Sequence, residues 1–170
     1  MATTAGGRGI ERGGTRGNPR PVGRFLCGGW PGRRLTGSAI YDAGMLVGLA
    51  NRASRAQAEH LAIIRHTRPI VPGPVLSQAW RRHSPGQAIL SRYLKDCRVL
   101  TDYREQDYKR IGVMLGDASL PAKSRPDVVD ALVALTAARN TPASVLTSDP
   151  VDIAAYLATL RDARVIVVPI

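Results

Sequence analysis

Residues 124–152 read SRPDVVDALVALTAARNTPASVLTSDPVD, and this stretch decides the fold. The Ala-rich apolar run that begins at Val128 predicts a helix ending near Asn140. Thr141-Pro142 breaks it, and Ala143 to Leu146 is a short apolar strand. Asp149-Pro150-x-Asp152 then has the form of a new helix start. Outward from there the same alternation repeats. Ala39 to Tyr41 reads as a buried strand and Ala43 to Asn51 as a helix. Arg52 to His66 is a second helix, and Pro69 to Pro72 a strand bounded by breakers. Helices follow from Pro74 to Arg81 and from Gly86 to Asp96, then a strand at Arg98 to Thr101. Asp102-x-x-Glu105 looks like a capping box opening a helix that Gly116 ends. Pro150 to Leu160 is the last helix and Arg164 to Pro169 the closing strand. Strands alternating with helices pair in parallel through right-handed crossovers. The expected architecture is therefore a three-layer α/β/α sandwich around a mostly parallel sheet of about five short strands.

Four acids gather in the opening stretch. Asp127 and Asp130, three apart, project from one side of a helix start, and Asp149 lies where a strand gives way to a helix, with Asp152 just beyond. A further acid, Asp42, ends the apolar run Ala39-Ile40-Tyr41. Parallel strands all point one way, so Asp42 and Asp149 are expected to meet at one edge of the sheet with Asp130 above them. Ligands of open α/β sheets collect at that edge. Carboxylates brought together repel one another unless a cation lies between them, and Mg²⁺ or Mn²⁺ suits hard oxygen ligands. Capping offers a plainer account. Ser124-x-x-Asp127 and Asp149-x-x-Asp152 both suit helix starts, which accounts for Asp127, Asp149 and Asp152. It leaves Asp130 and Asp42, each set among apolar neighbours, without a role.

The 170-residue length suits one domain, and 44% apolar content supplies an ordinary core. The net charge of +11 is unevenly spread: residues 1–38 hold seven Arg against one Glu, together with eleven of the seventeen glycines. Residues 1–37 are expected to form a disordered Gly/Arg-rich leader, and residues 38–170 the folded domain. The leader reads either as an arm for nucleic-acid backbone or as sequence upstream of the true start. A basic balance points to an anionic partner. Two cysteines, Cys27 and Cys97, make no disulfide framework. No apolar run approaches a membrane span and no secretory signal is visible, so a soluble cytoplasmic protein is expected. His60, His66 and His83 have no zinc spacing, and neither a dinucleotide fingerprint nor a P-loop occurs.

Taken in order, YDAGMLVGLA (41–50), VPGPVLSQAWR (71–81), DVVDALVALTA (127–137), VLTSDPVDIAAYL (145–157) and the closing VIVVP (165–169) resemble the PIN domain, most closely the VapC-type toxin ribonucleases of bacterial toxin–antitoxin systems. The resemblance covers residues 39–170. It implies a Mg²⁺- or Mn²⁺-dependent endoribonuclease with Asp42, Asp130 and Asp149 as catalytic metal ligands, and Asp152 or Asp127 as a further acid. It also implies an RNA substrate, a cognate antitoxin protein and a homodimer. The helix after the second strand usually carries Glu in that family, where this chain has Gln78, a neutral amide beside the metal site at best. Arg81, Arg82, Lys123 and Arg125 flank the acidic elements and are candidate RNA contacts. The rival expectation is a PIN-like module that binds RNA or protein without cutting.

Overall fold

The computed structural model describes residues 37–81 and 85–170. Among them run five strands, β1 (Ser38–Tyr41), β2 (Ile70–Pro72), β3 (Arg98–Leu100), β4 (Ala143–Thr147) and β5 (Val165–Pro169). Seven helices alternate with them: α1 (Ala43–Ala50), α2 (Ser54–Ile64), α3 (Gly73–Ala79), α4 (Pro85–Tyr93), α5 (Glu105–Asp117), α6 (Val128–Arg139) and α7 (Pro150–Ala158). The leader lies outside the described residues.

The sheet has the order β3-β2-β1-β4-β5, and every neighbouring pair is parallel. Strands covered on both faces need continuous apolar sequence. Ala39, Ile40 and Tyr41 of β1 and Val145 and Leu146 of β4 are accordingly buried, whereas Val99 and Ile166 on the edge strands are exposed. The chain starts at the centre, steps outward to β2 and β3, then returns past β1 to β4 and β5. Right-handed crossovers put α1–α4 on one face and α5–α7 on the other. The packing agrees, since α1 lies against α2, α3 and α4, and α6 against α5 and α7. This is the expected α/β/α sandwich, with the sheet wholly parallel.

Helix α6 is buried without a break from Ala131 to Ala137 because sheet and neighbouring helices enclose it. Its C-terminus is tied to the start of α5 by an ion pair between Arg139 and the buried Asp107. That guanidinium, with the Arg104 N–H at 2.9 Å, holds the Asp107 carboxyl down at about 2. The expected capping box at Asp102 and Glu105 is thus displaced: Arg104 is the N-cap residue and Asp107 accepts from its N–H. Gly116, expected to end α5, lies within it.

The order of strands reverses between β1 and β4, where the connection from β1 leaves on one face and the connection into β4 arrives on the other. In open α/β sheets it is beyond the carboxyl ends of the two strands at such a point that ligands bind.

Candidate metal centre

Asp42 follows the last residue of β1, and its backbone N–H donates to Leu146 O of β4 at 3.1 Å. Its side chain is 3% exposed. One carboxylate oxygen accepts from the Ala43 N–H, which makes Asp42 the N-cap of α1. The other accepts from Thr147 Oγ1 at 2.7 Å. Asp42 therefore does have a capping role, contrary to the sequence reading. Burial pushes its pKa up, the Thr147 and Ala43 donors pull it back, and the Asp149 charge pushes it further up.

Thr147 joins the two strands' acids. The same hydroxyl that donates to Asp42 accepts from the Asp149 N–H at 2.9 Å. Asp149 is the N-cap residue of α7, yet its side chain caps nothing and is exposed. A plain capping account fails at this residue. Gly44 allows the assembly to close, because a methyl group there would collide with the Ser148 hydroxyl in the β4–α7 connection.

On the opposite side, Asp127 is a true N-cap. Its side chain accepts from the Val129 N–H at 2.6 Å and the Asp130 N–H at 3.3 Å, and its own N–H donates to the Tyr156 hydroxyl at 2.8 Å. Ser124, expected to cap this helix, instead donates its hydroxyl to Asp152 at 2.9 Å and so ties the loop before α6 to the first turn of α7. Asp127→Ala is expected to cost about 1 kcal/mol, read as a lower denaturant midpoint at unchanged slope.

Asp130 occupies the third position of α6. An acid there normally gains from the helix dipole, which lowers its pKa. Here the pKa is instead raised to about 7, by burial first and then by the charges of Asp42, Asp127, Asp149 and Asp152. Burial and crowding outweigh the dipole, and the other four expected acids all lie within electrostatic reach of this carboxyl.

The donor set fits a hard divalent cation, being all carboxylate with no thiol or imidazole. Burial first, and then the neighbouring carboxylates, hold Asp130 well above the usual carboxylate range, and a cation would offset the repulsive part. Among the described residues, no three of these side chains are drawn into a ready-made ligand group. Asp42, Asp130, Asp149 and Asp152 would hold an ion there.

The remaining expected residues are Gln78 and four cations. Gln78 is half-buried on α3, which packs against α1 and α6. Arg81 is exposed and donates to Trp80 O at 3.0 Å. Lys123 and Arg125 are exposed on either side of Ser124, and so lie beside the Asp152 contact. Arg82 lies outside the described residues. Sequence reasoning missed Thr147 and Tyr156 and gave Ser124 a different task; the three hydroxyls organise Asp42, Asp149, Asp127 and Asp152, and the one visible signal was a hydroxyl residue, Thr147, ending a buried strand two positions before Asp149. No helix among the described residues is long and apolar enough to cross a membrane. No protein-family model, curated protein or solved structure matches the chain.

Proposed function

We propose that the chain is a Mg²⁺- or Mn²⁺-dependent endoribonuclease, of the kind that serves as the toxin of a toxin–antitoxin pair. The observation that carries the metal part of this reading is the raised Asp130 carboxyl, surrounded by Asp42, Asp149, Asp152 and Asp127 at the switch point of a parallel sheet. The ribonuclease and toxin parts rest on the order of the short motifs along residues 39–170 and on the basic balance of the chain.

Each residue then has a task. Asp42, fixed by Ala43 and Thr147, is the anchored ligand. Asp149, exposed and free of a capping duty, faces the side from which a phosphodiester would approach. Asp130 would hold the ion in its ionised form, and Asp152 is held by Ser124. When bound, the ion supplies a lowered pKa for an attacking water and offsets the charge that develops on the phosphate. Lys123 and Arg125 supply positive charge at the rim.

A second reading, an RNA- or protein-binding module that does not cut, is favoured by one residue: Gln78 supplies no charge where the resembled family has Glu. The full chain incubated with RNA separates the two. Cleavage is expected with Mg²⁺ or Mn²⁺, absent with EDTA, abolished by Asp42→Asn and retained by Asp127→Ala. Cutting that persists through chelation and Asp42→Asn would reject the nuclease reading, and binding without cutting would favour the second.

A further inference from the structure

We infer that the opposite end of the sheet is a docking surface for nucleic-acid backbone. The parallel registers locate it, with Arg98 set two residues in from the level of Ser38. Ser38 pairs with Ala143, and Ala143 with Val165; Ile40 pairs with Ile70, and Ile70 with Arg98. Arg68, two residues before Ile70, is thus level with the start of β1. Arg98 is the first residue of β3, and Arg164 immediately precedes β5. Arg65 at the end of α2 and Lys95 just before β3 join Arg68 on one flank, where the Arg68 guanidinium donates to Lys95 O at 3.2 Å. Arg161 joins Arg164 on the other. All six are exposed.

Asp96 and Asp162 bring negative charge to the two flanks, where Asp96 faces His60 Nε2 at 3.6 Å, and the Asp107–Arg139 ion pair lies just before β4. None of the six cations is in an ion pair among the described residues. Helix-dipole complementation accounts for Arg65 and Arg161, which follow helix C-termini. It does not account for Arg68, Arg98 and Arg164, which belong to strand starts; Lys95 lies in a short 3-10 turn, Leu94–Asp96, before β3. With strands about 4.8 Å apart, the four gaps from β3 to β5 set the two flanks roughly 19 Å apart. At about 3.4 Å per stacked nucleotide, that distance takes several phosphates.

The middle of the edge is the start of β1, at Ser38. The domain is therefore polar, with carboxylates beyond the strand ends and cations before the strand starts. A polyanion repelled by the first is attracted by the second. This surface acts whether or not the acids cut, so its test is run in EDTA.

The experiment measures binding of a fluorescently labelled single-stranded oligoribonucleotide to the full chain by anisotropy across a salt series. Arg68→Gln, Arg98→Gln and Arg164→Gln combined are expected to weaken binding about tenfold or more at low salt, and to flatten the log–log salt slope by about 2, since each lost phosphate contact removes about 0.7 on single strands. Retention of the Mn²⁺-induced rise in melting temperature confirms that the fold and acid site survive. Should the triple variant misfold, the single substitutions on opposite flanks, Arg68→Gln and Arg164→Gln, should each flatten the slope by about 0.7. An unchanged slope overturns the inference. So does a slope lost wholly with Lys123→Gln and Arg125→Gln, which would put the backbone at the acid end. Loss of binding to phosphatidylserine vesicles with oligonucleotide binding intact would also overturn it, assigning the edge to a membrane surface.

Discussion

Asp130→Asn is expected to raise the melting temperature in EDTA at pH 8 while removing most of the stabilisation that Mn²⁺ gives. The sign follows from linkage. The carboxyl titrates near 7 in the folded protein against an ordinary value of 3.8, so between about pH 4 and 7 the folded state holds a proton that the unfolded state has lost. Stability from this group is full below the unfolded value and falls as pH rises to about 7. Asp42, also raised, adds to the same slope. Asn carries no charge and should flatten it. At this half-exposed position solvent screening leaves a gain of about 1–2 kcal/mol, or a few degrees for a domain of this size. A cation reverses the balance, because an ion that binds only the folded state adds about 2.7 kcal/mol at a hundred times its dissociation constant. Melting curves at pH 5 and 8, with EDTA or Mn²⁺, read all of this. A variant that is no more stable in EDTA and responds fully to Mn²⁺ would remove Asp130 from the site.

Those acids were legible in the sequence because each stands at the end of a strand or the start of a helix. The strand–helix alternation was legible for a related reason: Ala39–Tyr41 and Ala143–Leu146 are too short and too apolar to be anything but covered strands. What escaped were contacts set by tertiary structure. Ser124 has the right offset to cap α6, but its hydroxyl is captured by Asp152, twenty-eight residues on, and Asp127 caps in its place. The start of α5 is similarly fixed by Asp107 reaching Arg139 across to α6 rather than by the local Asp102 and Glu105 pattern. Cap chemistry is short-range and nearly degenerate among neighbouring polar residues, so a single distant partner selects the winner. The basic edge escaped for the same reason. Arg68, Arg98 and Arg164 are thirty or more residues apart, and only the strand order assembles them.

Thr147 is the residue whose replacement should separate organisation from charge. It is fully buried, and no net charge changes when it is substituted. Thr147→Val keeps the β-branched shape that suits a central strand but deletes the donor to Asp42 and the acceptor for the Asp149 N–H. A buried carboxylate left short of a donor rises further in pKa and loses its fixed direction. Partners that orient metal ligands are worth roughly 10–100-fold in affinity or activity, and Thr147 serves two acids at once, so the upper end of that range is expected for cleavage. The pH profile should shift too. Its acid limb is expected to move to higher pH, because Asp42 becomes harder to ionise once its hydroxyl donor is gone. Thr147→Ser restores the hydroxyl and should recover most of the rate and the original limb, at some cost in packing. Recovery by Ser but not Val identifies the hydroxyl as the agent. Equal losses in both variants, with unshifted pH profiles, would mean that Thr147 contributes only its methyl to the core and that Asp42 is held without it.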